Sequence, residues 1–367
     1  MVPDWGTRHL SYKEVIVLKQ GLNIILDAQW GSTGKGKLSG FLGQYMPDFA
    51  ASSFGPNAGH TYVDNNGKAT VFKCLPTSAI VAGCPALVMP DSVIEVEVLM
   101  KEALILGNEV LVHPRTAVLT DDDAKSAQIT GRHLAGTMKG TGHALSKKML
   151  RIEGVKLAKD VLPKHMVADT CKIIRDAVKS DKCVLMEMSQ GFDLSLNHGH
   201  DYPYLTSRDI TVGAALNSCG CPASALAQVI GCMRVYPIRV GNIKNGYSGP
   251  CHPDQTELTW ADVASHSGGP KDLVEMTTVT KRTRRVFTFS MMQMKRFCEV
   301  NNPDWLFLNF IHYLDWNMHG IVSYADLTDS AKSFIKNVEE EINTFIPVIG
   351  TGAKQGEVVR VPRMERG

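Results

Sequence analysis

The chain of 367 residues is 44% hydrophobic and 21% charged, an ordinary globular balance, and it is long enough to bury a large core. Its 39 Lys and Arg against 37 Asp and Glu leave a formal charge of +2 with no long basic run, which excludes a nucleic-acid-coating protein but leaves small anionic substrates open. No apolar run reaches the roughly 18 residues of a membrane span. The 9 cysteines are scattered and no signal peptide precedes them, so reduced thiols in a cytoplasm are expected. Cys219 and Cys221 form the one close pair, and no second pair or histidine spacing completes a zinc site.

Residues 1–20 form a polar lead-in, with 12–18 read as helical or an edge strand. The apolar run Asn23-Ile24-Ile25-Leu26 then enters LDAQWGSTGKGKLSG at 26–40, and a helix-like pattern resumes from Leu38 through Leu42. This reads as a strand, a tight glycine turn and a helix start. Glycine permits positive φ and close backbone approach, and the unpaired N–H groups of the helix start favour an anion, so phosphate is the expected guest. Gly31 to Lys37 matches the phosphate-loop spacing G-x-x-x-x-G-K, but Leu38 stands where Ser or Thr would hold magnesium. A glycine-rich surface turn would account for neither Trp30 nor the paired Lys35 and Lys37.

A second loop, Phe54-Gly55-Pro56-Asn57-Ala58-Gly59-His60-Thr61, leads into a hairpin of 62–63 with 70–74 around Asn65-Asn66-Gly67. Residues 77–100 read as a strand, a Pro/Asp turn and the start of a helix over about 95–106; 109–112 is a short strand. This alternation predicts a largely parallel α/β sheet. Residues 120–160 read as helical, interrupted by the loop Gly136-Thr137-Met138-Lys139-Gly140-Thr141-Gly142. The strand at 183–188 ends at Ser189-Gln190-Gly191, which places Gln190 at a carboxyl strand end, where ligands gather in open α/β sheets.

Residues 201–217 turn through Pro203 into a helix capped near Ser207 or Asp209, and a strand is expected at 229–240. Residues 241–275 are Gly/Pro-rich and read as an irregular, mobile, ligand-facing insertion. The run Thr277-Thr278-Val279-Thr280-Lys281-Arg282-Thr283-Arg284-Arg285 interleaves cations with threonines and reads as an anion clamp rather than a solvated face. A strand at 305–311, a helix at 328–343 and a strand at 345–352 ending in a glycine turn complete the chain. With no repeat, low-complexity tract or linker, one domain over 1–367 is expected, with insertions at about 120–160 and 241–285.

Three glycine turns, at 31–36, 136–142 and 350–352, converge with the Thr/Arg run and with His60. Several phosphate sites in one chain imply that a phosphoryl group passes from a triphosphate donor to an anion-bearing acceptor. Such transfer depends on positioning and charge neutralisation, with Mg2+ bridging donor oxygens. His60 is a candidate general acid or phosphate partner.

In order, QWGSTGKGK at 29–37, NAGHT at 57–61, GTMKGTG at 136–142, the Gln190 strand end, YPYLTS at 202–207, TKRTRR at 280–285 and GTG at 350–352 resemble the adenylosuccinate synthetase family over most of the chain. The resemblance implies a P-loop-like α/β fold with a large, mostly parallel central sheet and flanking helices. It implies condensation of a purine 6-oxo nucleotide with L-aspartate, driven by a nucleoside triphosphate and Mg2+. The 6-oxygen is phosphorylated first and then displaced by the aspartate amine.

By that resemblance, Ser32, Thr33, Gly34, Lys35, Gly36 and Lys37, with Gly59, His60 and Thr61 and with Gly350, Thr351 and Gly352, would hold the donor and its phosphates. Lys35 would also hold the 6-phosphoryl group, and His60 would assist transfer as an acid. Ser32, Asn57, Ala58, Thr137, Gln190 and Thr206 would bind the acceptor, joined by Arg151 of the partner subunit, which implies a homodimer. Thr278, Val279, Thr280, Arg282 and Arg284 would hold aspartate, while the Gly59 carbonyl and Ser32 would face Mg2+.

Two departures matter. Family members acting on IMP carry an aspartate after the glycine of QWG, as base on N1 and magnesium ligand, where this chain has Ser32. A small uncharged residue leaves room for a 2-amino group, the pattern of the phage branch that builds 2-aminoadenine nucleotides from dGMP. The family's guanine-reading Lys-x-Asp is also missing, since Asn309-Phe310-Ile311-His312 stands there, so ATP or dATP is the expected donor. Ser32 therefore joins Lys35 and His60 among the catalytic candidates, and the N1 base stays unassigned. Two other readings remain open: a synthetase acting on IMP, and a non-catalytic nucleotide-binding regulator.

Overall fold

The computed structural model describes residues 16–278 and 280–362. Val279 and most of the 12–18 segment lie outside the described residues. A nine-stranded sheet forms the centre, in the order Val358–Arg360, Val348–Gly350, Trp305–Asn309, Leu226–Arg234, Gly21–Asp27, Cys183–Gly191, Phe49–Ser53, Ala86–Val88 and Val110–Val112. Every pairing is parallel except that of the last strand in sequence, 358–360, which runs antiparallel to 348–350 at one edge. The expected α/β class is the observed one.

The strand Gly21–Asp27 is buried throughout, as a strand covered on both faces must be. On one face Ile24 and Leu26 pack with Ile174, Ala215, Met294, Phe297 and Ile335 from surrounding helices. On the other, Ile25 packs with Leu38, Phe41 and Leu42 of the helix Lys35–Gly43. Fully burying Leu38 and Leu42 contributes roughly 1.5–3 kcal/mol each, which ties this helix, and the loop before it, to the sheet. Parallel pairing brings Asp27, Gln190, Arg234 and Asn309 to one carboxyl edge, where loops and helix starts meet.

Several local expectations are corrected. Residues 78–82 form a short helix, Ser78–Ala82, before the strand Ala86–Val88. The helix Val212–Cys219 is capped by Thr211, whose side chain accepts from Ala214 N; Asp209 instead accepts from the Asn197 backbone and side-chain amides. The strand expected at 229–240 is broken: Leu226–Arg234 ends before Pro237, which has no N–H for a ladder, and Ile238–Arg239 joins a separate three-stranded sheet with Arg285–Phe287 and Glu257–Leu258. The irregular segment 241–275 thus contains a strand, together with the helix Trp260–Ser267, which Thr259 and Asp262 hold in a capping box. The hairpin His60–Val63 with Ala69–Phe72 is as expected. None of the described helices is long and apolar enough to cross a membrane, and all nine cysteines are free.

Candidate active site

A cleft of about 320 Å3 opens at the carboxyl edge of the sheet. Its floor is the loop between the strand Gly21–Asp27 and the helix Lys35–Gly43. Gly34 sits at φ 101°, and a side chain there would meet Asn309 Nδ2 at 2.0 Å; one on Gly36 would meet the Thr61 carbonyl at 2.6 Å. Gly34 thus lets the loop press against Asn309, and Gly36 lets the helix start run directly against the His60 hairpin. The helix has no side-chain cap, so the first amides of its opening turn, which lack intrahelical acceptors, are free for an anion. Ser32, at φ 55°, is a non-glycine in the left-handed region, and its carbonyl accepts from Arg234 Nη1 at 3.1 Å.

Lys35 Nζ donates to Asp27 Oδ2 at 3.0 Å and to the Gln190 carbonyl at 3.1 Å. Lys37 Nζ donates to the carbonyls of Gly352 and Glu357, each at 2.6 Å, and burial pushes its ammonium down to about 7 against the pull of Glu357. The two lysines thereby join the loop to the Gln190 strand end and to the last glycine turn.

His60 is buried on Phe54, with ring centroids 3.7 Å apart and 11° between planes. Its Nδ1 lies 2.6 Å from Glu187 Oε1, while the other carboxylate oxygen accepts from Thr77 N and Oγ1, each at 3.1 Å. Burial lowers the His60 pKa despite Glu187; Glu187 is also held low, its own burial being outweighed by His60, Ser39 and Thr77. The pair therefore rests as carboxylate and neutral imidazole, with the proton on Nδ1. Nε2, buried and without a partner among the described residues, is left to an incoming group.

On the opposite wall Glu275 accepts from Arg234, from Arg284 Nη1 at 3.1 Å and from Tyr313 OH at 3.0 Å. Burial opposes its charge, but these partners, Arg234 foremost, hold its carboxyl down to about 2. Arg284 lines the cleft. Arg282 does not: its guanidinium donates to the Gly241 carbonyl at 3.1 Å, the Gly136 carbonyl at 2.8 Å and Thr280 Oγ1 at 3.1 Å. At the far end the Arg234 guanidinium rests 4.1 Å from the centre of the Phe310 ring, and Asn309 Nδ2 donates to the Thr33 carbonyl at 3.0 Å.

Of the residues picked out in the sequence, Ser32, Gly34, Lys35, Gly36, Lys37, Asn57, Ala58, Gly59, His60, Thr61, Thr137, Gln190, Thr278, Thr280, Arg284 and Gly352 share this cleft. Thr33, fully buried, turns its hydroxyl to Asp27 instead; Thr351, also buried, donates to the Ile321 carbonyl. Gly350 ends a sheet strand, and Thr206 does not line the cleft; its backbone N–H donates to the carbonyl of Leu194, which does. Arg151 is exposed and does not line the cleft.

Trp30, in the glycine loop, and Asn309 and Phe310, at the expected donor-base position, also line the cleft, while Asp27, Glu187 and Glu275 behind it were not singled out in the sequence. Glu187 and Asp27 had one signal, a charge inside an apolar strand, while Glu275 had none. The described lining residues include Lys35, Lys37, His60 and Arg284 and no Asp or Glu; the carboxylates that balance them stand one layer deeper.

Fold and cleft together define a phosphate-handling α/β enzyme with its glycine loop at the carboxyl edge of the sheet. The model of the adenylosuccinate synthetase family matches residues 24–164 and 152–318, and the chain belongs to that family. An N6-succino-2-amino-2'-deoxyadenylate synthase of Cyanophage S-2L is 36% identical over 353 residues, 93% of this chain and 92% of its own length. Its counterpart from Salmonella phage PMBT28 is 35% identical, covering 80% and 85%. Adenylosuccinate synthetase of Methanococcus maripaludis (strain C5 / ATCC BAA-1333) is 29% identical, covering 92% and 98%. A solved structure of the Cyanophage S-2L succinoaminodeoxyadenylate synthetase, bound to dGMP and to dATP as an energy donor, superposes with a TM-score of 0.81 at 32% identity, covering 94% of this chain and 96% of that one. Fully ligated adenylosuccinate synthetase from Plasmodium falciparum shares the fold, with a TM-score of 0.77 at 20% identity, covering 93% and 100%.

Proposed function

We propose that this chain condenses dGMP with L-aspartate, using ATP or dATP as phosphoryl donor, to give N6-succino-2-amino-2'-deoxyadenylate, the nucleoside diphosphate and phosphate. One observation carries the choice of acceptor: Ser32, small and uncharged, stands in a cleft whose described lining holds no carboxylate. A purine with a 2-amino group meets a small neighbour there whose hydroxyl can accept from that amine. Phe310 and His312, where the family pattern has a guanine-reading Lys-x-Asp, support an adenine donor.

In this reading the amides at 34–37 and Lys35 hold the transferring phosphoryl group, and charge spread over its oxygens meets fixed donors. His60 Nε2 points at the same space and hydrogen-bonds a phosphate oxygen once protonated. Asn57, Ala58, Thr137, Gln190 and Thr206 hold the acceptor; Thr278, Val279, Thr280, Arg282 and Arg284 hold aspartate. The donor's phosphates meet the turn at Gly350, Thr351 and Gly352 as well as Gly59, His60 and Thr61.

Magnesium fits this cleft only as an ion carried on the triphosphate, because the lining supplies neutral oxygens and no carboxylate. The Gly59 carbonyl and the Ser32 hydroxyl would be its protein ligands, and when bound it neutralises charge between the donor oxygens. Arg151, exposed and outside its own cleft, serves the cleft of a second copy in a homodimer. Free thiols throughout fit a reducing compartment, the cytoplasm of a host cell.

The test is one assay with two acceptors. With Mg2+, aspartate and ATP or dATP, dGMP should support faster release of ADP or dADP than IMP. Faster release with IMP overturns the acceptor assignment, and nucleotide binding without any release identifies a regulator instead.

A further inference from the structure

Asp27 ends the central strand and is fully buried. Five donors converge on it: Oδ1 accepts from Gln29 N at 2.9 Å and Gly31 N at 3.2 Å, while Oδ2 accepts from Thr33 N at 3.4 Å, Thr33 Oγ1 at 2.6 Å and Lys35 Nζ at 3.0 Å. One side chain therefore sets the course of the whole loop from Gln29 to Lys35. It also binds the ammonium of Lys35, which lines the cleft. A carboxylate so fully hydrogen-bonded has no lone pair to offer as a base, and it does not line the cleft.

The Lys35 ammonium has three protons. Asp27 and the Gln190 carbonyl take two, which leaves one N–H and a fixed direction for it. The second tie is guaranteed by close packing: a side chain on Gly191 would lie 2.1 Å from the Gln29 carbonyl, so the strand end carrying Gln190 is pressed against the loop that Asp27 shapes. Without a counter-charge, a buried lysine loses its charge or turns away.

We infer that Asp27 is a positioning residue for phosphoryl transfer, acting through Lys35: from behind the loop its carboxylate orients the ammonium without entering the substrate space. The inference rests on the phosphoryl-transfer reading but not on the identity of the acceptor.

The experiment compares the full-length wild type with Asp27→Asn, Lys35→Met and the double variant. Steady-state kinetics are combined with positional isotope exchange in the donor's β,γ-bridge, measured with dGMP and Mg2+ and without aspartate. Asp27→Asn is expected to lower kcat and the exchange rate about 10²-fold, the scale of one lost transition-state donor, while the KM values for dGMP and aspartate stay within about threefold. The double variant should be no worse than Lys35→Met, because the two act as one unit. Additive losses, or an Asp27→Asn kcat near wild type, overturn the inference. A wild type that shows neither exchange nor product overturns the functional reading instead. If Asp27→Asn does not fold, Thr33→Val, which removes one hydroxyl from Oδ2, is expected to lower kcat about tenfold at steady KM, and an unchanged kcat overturns the inference.

Discussion

Glu187 Oε1 lies 2.6 Å from His60 Nδ1, and both side chains are buried beneath the phosphate loop. One comes from the middle of a sheet strand and the other from a hairpin more than a hundred residues earlier. Thr77 and Phe54 complete the cage, so the ring has one tautomer and one direction for Nε2. A histidine held this firmly with one buried nitrogen unpaired is built to meet a ligand.

His60→Ala should lower turnover by roughly 10²–10⁴, the range of a lost acid–base group, with the fold kept but the melting temperature lowered, because Glu187 stays buried without its partner. Glu187→Gln keeps the shape but removes the charge that favours the imidazolium, so a smaller fall in kcat at steady KM is expected. Steady-state kinetics decide, and near-normal turnover of His60→Ala would remove His60 from the chemistry.

The lowered His60 pKa leaves the free ring neutral at pH 7, and a phosphate anion beside Nε2 raises it again. Binding of the donor with Mg2+ should therefore take up protons. Lys37, at about 7, contributes with the same sign. Titration calorimetry at pH 7 in buffers of different ionisation enthalpy measures the uptake, which His60→Asn should reduce; equal uptake in wild type and variant would count against the ring.

Ser32→Asp returns a carboxylate to the cleft wall and should shift acceptor preference from dGMP toward IMP. The ratio of kcat/KM values for the two acceptors is the measurement, and an unchanged ratio would place discrimination at another residue.

Arg282 ties the 136 and 241 segments together through two carbonyls, whereas Arg284 already faces the cleft. Removing Arg284 should raise KM for aspartate by at least about tenfold, the size of one lost charge-assisted contact, and removing Arg282 should raise it by loosening the loop that carries Thr280, each with a smaller change for dGMP. Initial rates with each substrate varied distinguish this from a general loss of activity.

Burial, followed by His319, Lys37 and Arg234, pushes the His312 imidazole down to about 3. Unfolded, it titrates near 6.5. Its neutral burial therefore costs no stability above pH 6.5, and stability is lost as pH falls below that value, because the unfolded chain binds the extra proton. The slope from this group is about 1.4 kcal/mol per pH unit. His312→Gln should flatten the decline in urea midpoint between pH 6.5 and 4.5; an identical decline would rule the residue out as its source.

Patterns that depend on near neighbours were legible in the chain. The apolar run before QWGSTGKGK, the Asn65-Asn66-Gly67 turn and the strand ending at Gln190 all form as read, because strand burial, turn chemistry and helix starts are set within a few residues. Where a distant partner competes for a side chain, local reading failed. Asp209, drawn to Asn197, gave up the cap to Thr211, and the segment after 241 gained order by pairing Glu257–Leu258 with Arg285–Phe287.

The sequence by itself determined that a phosphate loop follows a buried strand, that His60, Lys35 and a Thr/Arg run accompany it, and that serine occupies position 32. Only the tertiary structure decided which charges face the substrate and which stand behind it. Asp27, Glu187 and Glu275 are separated along the chain by stretches that carry no shared pattern, and each was placed by the sheet order and the loops joining it. A buried charge must find its partner in space, and spacing along the chain does not encode that distance.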